Sequence, residues 1–311
     1  MNQQELIDSS VSFKENWEKF SKAFKVDGKT ETSLSVERER CFLKPIAHIT
    51  RTSDKGEREL SFSFMDLSEP FENAIAEIIH VPALRGNPRR DYDITSVGPI
   101  FPGTFENYVA SIISEWQESK NTCLETLFKW LQMLNLADAV SVEPIDDTRA
   151  EINVGLCNED PLMQNNLISI ADVGFGVSQT LPVLVALLKA EPNQLVYIEQ
   201  PEIHLHPRAQ VAMARILTEA SKRNIRIVVE THSALLLRGI QTIVAKGGII
   251  APDKVRLHWF ERNKDDRTTK ITSANLDEAG SYRDWPEDFG DTIIDAETDY
   301  ILAAESHQMK E

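Results

Sequence analysis

Two short apolar segments, Gln194 to Ile198 and Ile225 to Val229, stand either side of a helix-length stretch, Arg208 to Lys222. Each runs straight into a polar cluster: Glu199-Gln200-Pro201-Glu202 after the first, Glu230-Thr231-His232-Ser233 after the second. Strand, helix and strand of these lengths form a right-handed parallel βαβ unit. Pro207 fits the first helical position, with His206 just before it, and Ser233 caps the helix that follows the second strand. Ligands of parallel sheets bind beyond the carboxyl ends of the strands, where both clusters fall. Ordinary caps and turns would explain either cluster alone. Two at adjacent strand ends point to a site.

Upstream, Ser178 to Ala190 reads as a mostly apolar helix with Ser178 as N-cap and Pro182 in its first turn, where a missing N–H does least harm. Asp172-Val173-Gly174-Phe175-Gly176-Val177 precedes it as a turn delivering backbone N–H groups to a helix N-terminus, a geometry suited to anions. Farther back, helices are expected at Met1–Phe24, Glu69–Ile79, Phe105–Glu118 and Cys123–Leu134. A hairpin is expected from Cys41 to Met65, turning at Ser53-Asp54-Lys55-Gly56, and a strand pair within Ser141–Val154.

Composition narrows the function. Of 311 residues, 41% are hydrophobic and 26% charged, as in chains that bury a core. The net charge of −16 argues against coating nucleic acid through general electrostatics, which needs a basic surface, though a local basic groove stays open. Residues 265–311 alone hold thirteen acidic and four basic side chains, an acidic tail expected to be solvated. Cys41, Cys123 and Cys157 lie too far apart in sequence to suggest a disulfide framework or a cysteine zinc site. No apolar run nears the roughly 20 residues of a membrane span, and the opening residues lack a secretory signal, so a cytoplasmic protein with no membrane partner is expected.

The segment Ile198-Glu199-Gln200-Pro201-Glu202-Ile203-His204-Leu205-His206-Pro207 resembles the Walker B and D-loop of ABC-type AAA ATPase heads, in the branch containing RecF, SMC and the OLD-type (overcoming lysogenization defect) proteins. Val228 to Ser233 resembles their switch-histidine segment, and Gly174-Phe175-Gly176-Val177-Ser178-Gln179 their signature motif in its glycine-rich form. His80 to Gly86, Phe101 to Phe105 and the tail around Asn275–Gly280 and Asp284–Phe289 resemble prokaryotic members carrying a C-terminal domain of unknown function.

The resemblance implies an α/β fold: an ABC-type P-loop NTPase head with a mainly parallel sheet flanked by helices and an incomplete N-terminal lobe. The expected division is 1–168 for the rest of that lobe, 169–262 for the ATPase core and 263–311 for an acidic extension. ATP and Mg²⁺ are the implied cofactors. Glu199 would hold the metal, and Gln200 stands where the family has a water-polarising glutamate. His232 would meet the γ-phosphate, and Glu202 or Glu230 could compensate for the missing base at Gln200. Gly174, Gly176, Ser178 and Gln179 would reach nucleotide held by a second head in a head-to-tail dimer. Genome maintenance or anti-phage defence beside an effector or nuclease is the implied setting. A non-hydrolysing scaffold is the alternative.

A phosphate loop needs G-x-x-x-x-G-K-[ST], and the one near match, Ala23 to Thr30, has alanine for its first glycine and no apolar strand before it. It reads as a polar turn, so the lobe would come from another polypeptide or a longer gene. His204 and His206 alternate as a metal pair might, with His232 as a third ligand, but the D-loop reading explains both without a transition metal. Arg85, Arg89 and Arg90 read as solvated surface.

Overall fold

A computed structural model describes residues 29–39, 42–53, 56–62, 74–155, 167–263, 267–282 and 291–308. The expected first helix, the turn residues Asp54 and Lys55, and Trp285 and Phe289 of the tail lie outside them. The chain divides into two compact units, Met1–Ala76 and Glu77–Glu311, so the boundaries expected at 168 and 262 both fall inside the second.

In the first unit, β1 (Lys29–Glu39), β2 (Phe42–Ser53) and β3 (Gly56–Phe62) form an antiparallel sheet in that order. The β2–β3 hairpin is the one read from sequence, its ends closing on the Ser53–Gly56 pair. Lys29 and Thr30 pair with Thr52 and Arg51 inside β1. A phosphate-loop lysine instead opens a helix after a strand, so these two residues do not form one.

The second unit is α/β. Its parallel sheet has the order β10 (Arg226–Glu230), β9 (Leu195–Glu199), β4 (Ile79–Val81). Ile79 is therefore strand, and the helix expected to run through it ends earlier. Three residues are too few for a readable alternation, but register explains the choice: Ile79 and Val81 face Val196 and Ile198, and all four are buried. A second sheet is antiparallel. Strand β7 (Arg149–Gly155) lies at its centre, paired with β5 (Tyr92–Asp93), β6 (Ala139–Pro144) and β8 (Leu167–Ser169).

Helix α1 (Val109–Glu118) packs on β6 and, with α2 (Cys123–Met133), on α3 (Phe175–Lys189). Helix α3 is apolar all round and buried over most of its length, as a central helix must be. It begins at Phe175 with Gly174 as N-cap, which corrects the expected start: Ser178 lies inside the helix and Pro182 in its interior. An interior proline costs about 3 kcal/mol by removing one backbone bond, here to the Ser178 carbonyl. Burial of Leu181, Val183, Leu184, Val185 and Leu187, each worth about 1.5–3 kcal/mol, outweighs it.

Helix α4 (Pro207–Ser221) connects β9 to β10 and packs against α5 (Ala234–Lys246). Pro207 takes the first turn of α4, and the Ser233 Oγ accepts from the Leu236 N–H at 3.0 Å to cap α5, both as expected. Gly239 lets these helices meet: a Cβ there would lie 2.7 Å from that of Ala214. The hairpin β11 (Arg256–Arg262) and β12 (Thr269–Asn275) follows, then α6 (Asp291–Gln308); the sequence reading anticipated neither. Among the described residues no helix is long and apolar enough to cross a membrane.

Candidate functional site

The carboxyl ends of β9 and β10 lie side by side, with Glu199 opposite Glu230 in the register. The Gln200 N–H donates to the Glu230 carbonyl at 2.7 Å, carrying the pairing one residue past the strand. Gln200 then turns the chain with φ of 44°, a left-handed conformation that costs a non-glycine residue of order 1–3 kcal/mol and clusters at functional sites. No described residue bonds its side-chain amide.

Glu202 ties the two ends together. Its Oε1 accepts from the Thr231 hydroxyl at 2.7 Å and the His232 N–H at 2.9 Å. Thr231 Oγ1 in turn accepts from the Ser233 N–H at 3.0 Å, and the Ser233 hydroxyl donates to Gln210 at 2.7 Å. The His232 side chain is left exposed, its backbone pinned.

Glu199 sits beside β4. His80 Nε2 lies 2.9 Å from its Oε1, and the Ala83 N–H donates to its Oε2 at 2.9 Å. These contacts, the Ala83 amide first and His80 second, hold its carboxyl below the usual range. His80 stacks on Tyr197 with centroids 5.0 Å apart, and the Tyr197 hydroxyl donates to Glu230 at 3.2 Å. Desolvation first, then the neighbouring carboxylates, pushes that phenol up.

Arg85 corrects the expectation of a solvated cluster, being only 8% exposed. Its guanidinium forks, donating to the Gln179 carbonyl of α3 at 3.0 Å and to the Glu199 carbonyl at 2.7 Å. Gln179 answers, its amide donating to the Gly86 carbonyl at 2.9 Å. The segment 83–86 thus locks the start of α3 to the end of β9. Burial lowers the Arg85 pKa to about 10, offset in part by Glu106, Glu202 and Glu199, so it stays charged at neutral pH. Arg90 is paired with Asp172 at 2.7 Å, while Arg89 lies over the Tyr92 ring.

The start of α3 has no side-chain cap, which leaves its first backbone N–H groups for an anion. Phe175 is half exposed there and stacks on His204, 5.4 Å between centroids. Gly176 packs close to Leu136, where a Cβ would lie 3.1 Å from its side-chain methyl. Gly174 is exposed, Ser178 half-buried, and Gln179 is turned inward by its bond to Gly86.

His204 and His206 do different work, the first stacking on Phe175, the second accepting from the Arg208 N–H as N-cap of α4. Among the described residues no group of three or more histidine, cysteine or acidic side chains could hold a metal by itself. Each Glu199 oxygen keeps a lone pair beyond the hydrogen bond it accepts.

Residues 146–238, well under half the chain, match the family described as "AAA domain, putative AbiEii toxin, Type IV TA system". The match is to an AAA domain. It spans the signature-like turn, both strand ends and the start of α5. Comparison with curated proteins finds no match. Among solved structures, an SMC head bound to the C-winged helix domain of ScpA is 12% identical with a TM-score of 0.42, covering 83% of each chain. The SMC head domain from Thermotoga maritima is also 12% identical, with a TM-score of 0.36 over 78% of this chain and 73% of that one. A structure from work on ATP-driven dimerization and DNA stimulated activation of SMC ATPases is 13% identical, with a TM-score of 0.37 over 51% of this chain and 87% of that one.

Proposed function

We propose that this chain is an ABC-type ATPase head that binds Mg-ATP at the carboxyl ends of β9 and β10 and pairs with a second head around the nucleotide. The observation that supports this most is the bonded assembly of Glu199, Gln200, Glu202, Thr231 and His232 at two adjacent parallel strand ends, joined through Arg85 to an uncapped helix N-terminus. The AAA-domain match over the same residues agrees with it.

Mg²⁺, when bound, would supply positive charge that offsets that of the phosphates. Glu199 is the carboxylate placed to hold it, and the His80 and Ala83 contacts keep that carboxylate ionised and aimed. Gln200 orients water without taking its proton. Glu202 fixes the backbone of His232, whose ring meets the terminal phosphate. The free N–H groups after Gly174, with Gly176 and Ser178 beside them, face a phosphate held by the opposing head. The phosphate loop of this head would be supplied by a Walker A-containing partner chain. A cytoplasmic role in genome maintenance or anti-phage defence, beside an effector or nuclease, fits this design. One observation favours a non-hydrolysing scaffold instead: Gln200 stands where a base would serve.

Sedimentation of the whole chain together with a phosphate-loop-carrying polypeptide, with and without Mg-ATP, tests the pairing. Nucleotide is expected to raise the mass above the nucleotide-free value, and Ser178→Arg, which crowds the start of α3, should weaken that increment at least tenfold. A mass indifferent to nucleotide, or an increment untouched by Ser178→Arg, counts against the proposal.

A further inference from the structure

The close approach of α4 and α5 at Gly239 leaves a groove of about 380 Å³ along their outer side. Val211, Leu235 and Ile243 contribute apolar lining, and Arg208, Arg238 and Lys246 stand along it, exposed and with no acidic partner among the described residues. A basic groove with an apolar floor is conspicuous on a chain of net charge −16. Helix α6 has the opposite character. Its described side chains are exposed, among them Tyr300 at 74%, Ile301 at 53% and Leu302 at 58%. Glu297 and Glu305 lie one turn before and after Ile301, on the same stripe of the helix. Most helical stability in proteins comes from packing of an apolar face, which the exposure of Tyr300, Ile301 and Leu302 leaves unmet.

We propose that the α4–α5 groove seats α6 of a second copy of this chain, giving a symmetric pair that forms without nucleotide. Spacing and charge agree. Glu297 and Glu305 are eight residues apart, as are Arg238 and Lys246 along α5, which is about 12 Å in each helix at 1.5 Å per residue. The acidic helix is repelled by most of an acidic surface and attracted by this groove. A two-fold pair makes the contact twice, so each copy covers the other's exposed helix.

The test is sedimentation equilibrium of the whole chain, free of nucleotide, so its result stands apart from that of ATP-dependent pairing. The wild type should be a dimer that weakens with salt. Arg238→Glu with Lys246→Glu, and separately Glu297→Lys with Glu305→Lys, should each raise the dissociation constant at least tenfold, because like charges then meet in both contacts. Mixing the two charge-reversed proteins should restore the dimer, since each reversed groove meets an oppositely charged helix. All these substitutions are at exposed positions, and helical circular dichroism checks that each variant folds. A monomeric wild type, a dimer indifferent to the reversals, or a mixture that stays monomeric overturns the proposal.

Discussion

Replacing Arg85 by methionine is expected to lower the unfolding free energy of the second unit by about 3–5 kcal/mol, the usual cost of removing one member of a buried charged network. Methionine fills much of the volume, so the loss is electrostatic and hydrogen-bonded rather than a cavity effect. The Gln179 and Glu199 carbonyls lose a charge-assisted donor each, and Glu106, Glu202 and Glu199 lose the cation among them. Arg85→Lys should recover less than half, because one ammonium cannot fork between two carbonyls on different elements. Urea unfolding followed by circular dichroism measures both. A loss under about 1 kcal/mol for methionine, the worth of one ordinary hydrogen bond, would mean that Arg85 is not the lock described.

The second large effect is catalytic. In an assembly that includes a phosphate loop, Gln200→Glu is expected to speed ATP hydrolysis by about 10²-fold or more, since a positioned base typically contributes 10²–10⁴-fold. The backbone favours a clean comparison: Gln200 is fixed by its bond to Glu230, and no described residue competes for its side chain. Phosphoryl transfer depends mainly on positioning and charge stabilisation, so slow turnover survives with the amide, and the acid adds the proton acceptor. Steady-state phosphate release reads the change. An unchanged or slower rate would remove Gln200 from the water-positioning role.

The strand ends were legible in the sequence because two periodic signals bracket them, apolar strand and capped helix, and the polar residues between have no core to serve. The lock was not. Strand β4 is three residues long, too short to alternate, and Arg85 follows it in a stretch whose other arginines are indeed exposed. Only the contact with β9 and α3, more than ninety residues away, buries it. The start of α3 was misread for a related reason. Ser178 and Pro182 carry the local signals of a cap and a first turn, but the helix begins at Phe175, and burial of Leu181, Val183, Leu184 and Val185 tolerates the interior proline. Helix α6 sits in the acidic tail, where charge masked weak periodicity.

The most direct test of the central claim follows the histidine ring resonances of the whole chain, in an assembly that includes a phosphate loop, while Mg-ATP is added up to millimolar concentration. His232 lies at the end of β10, His80 touches Glu199, and His258 lies on the β11–β12 hairpin, hydrogen-bonded to Ser273. The account predicts that His232 and His80 shift together, over the same nucleotide range, while His258 stays still. A His232 ring that does not move, or movement centred on His258, would contradict a triphosphate held at the ends of these two strands.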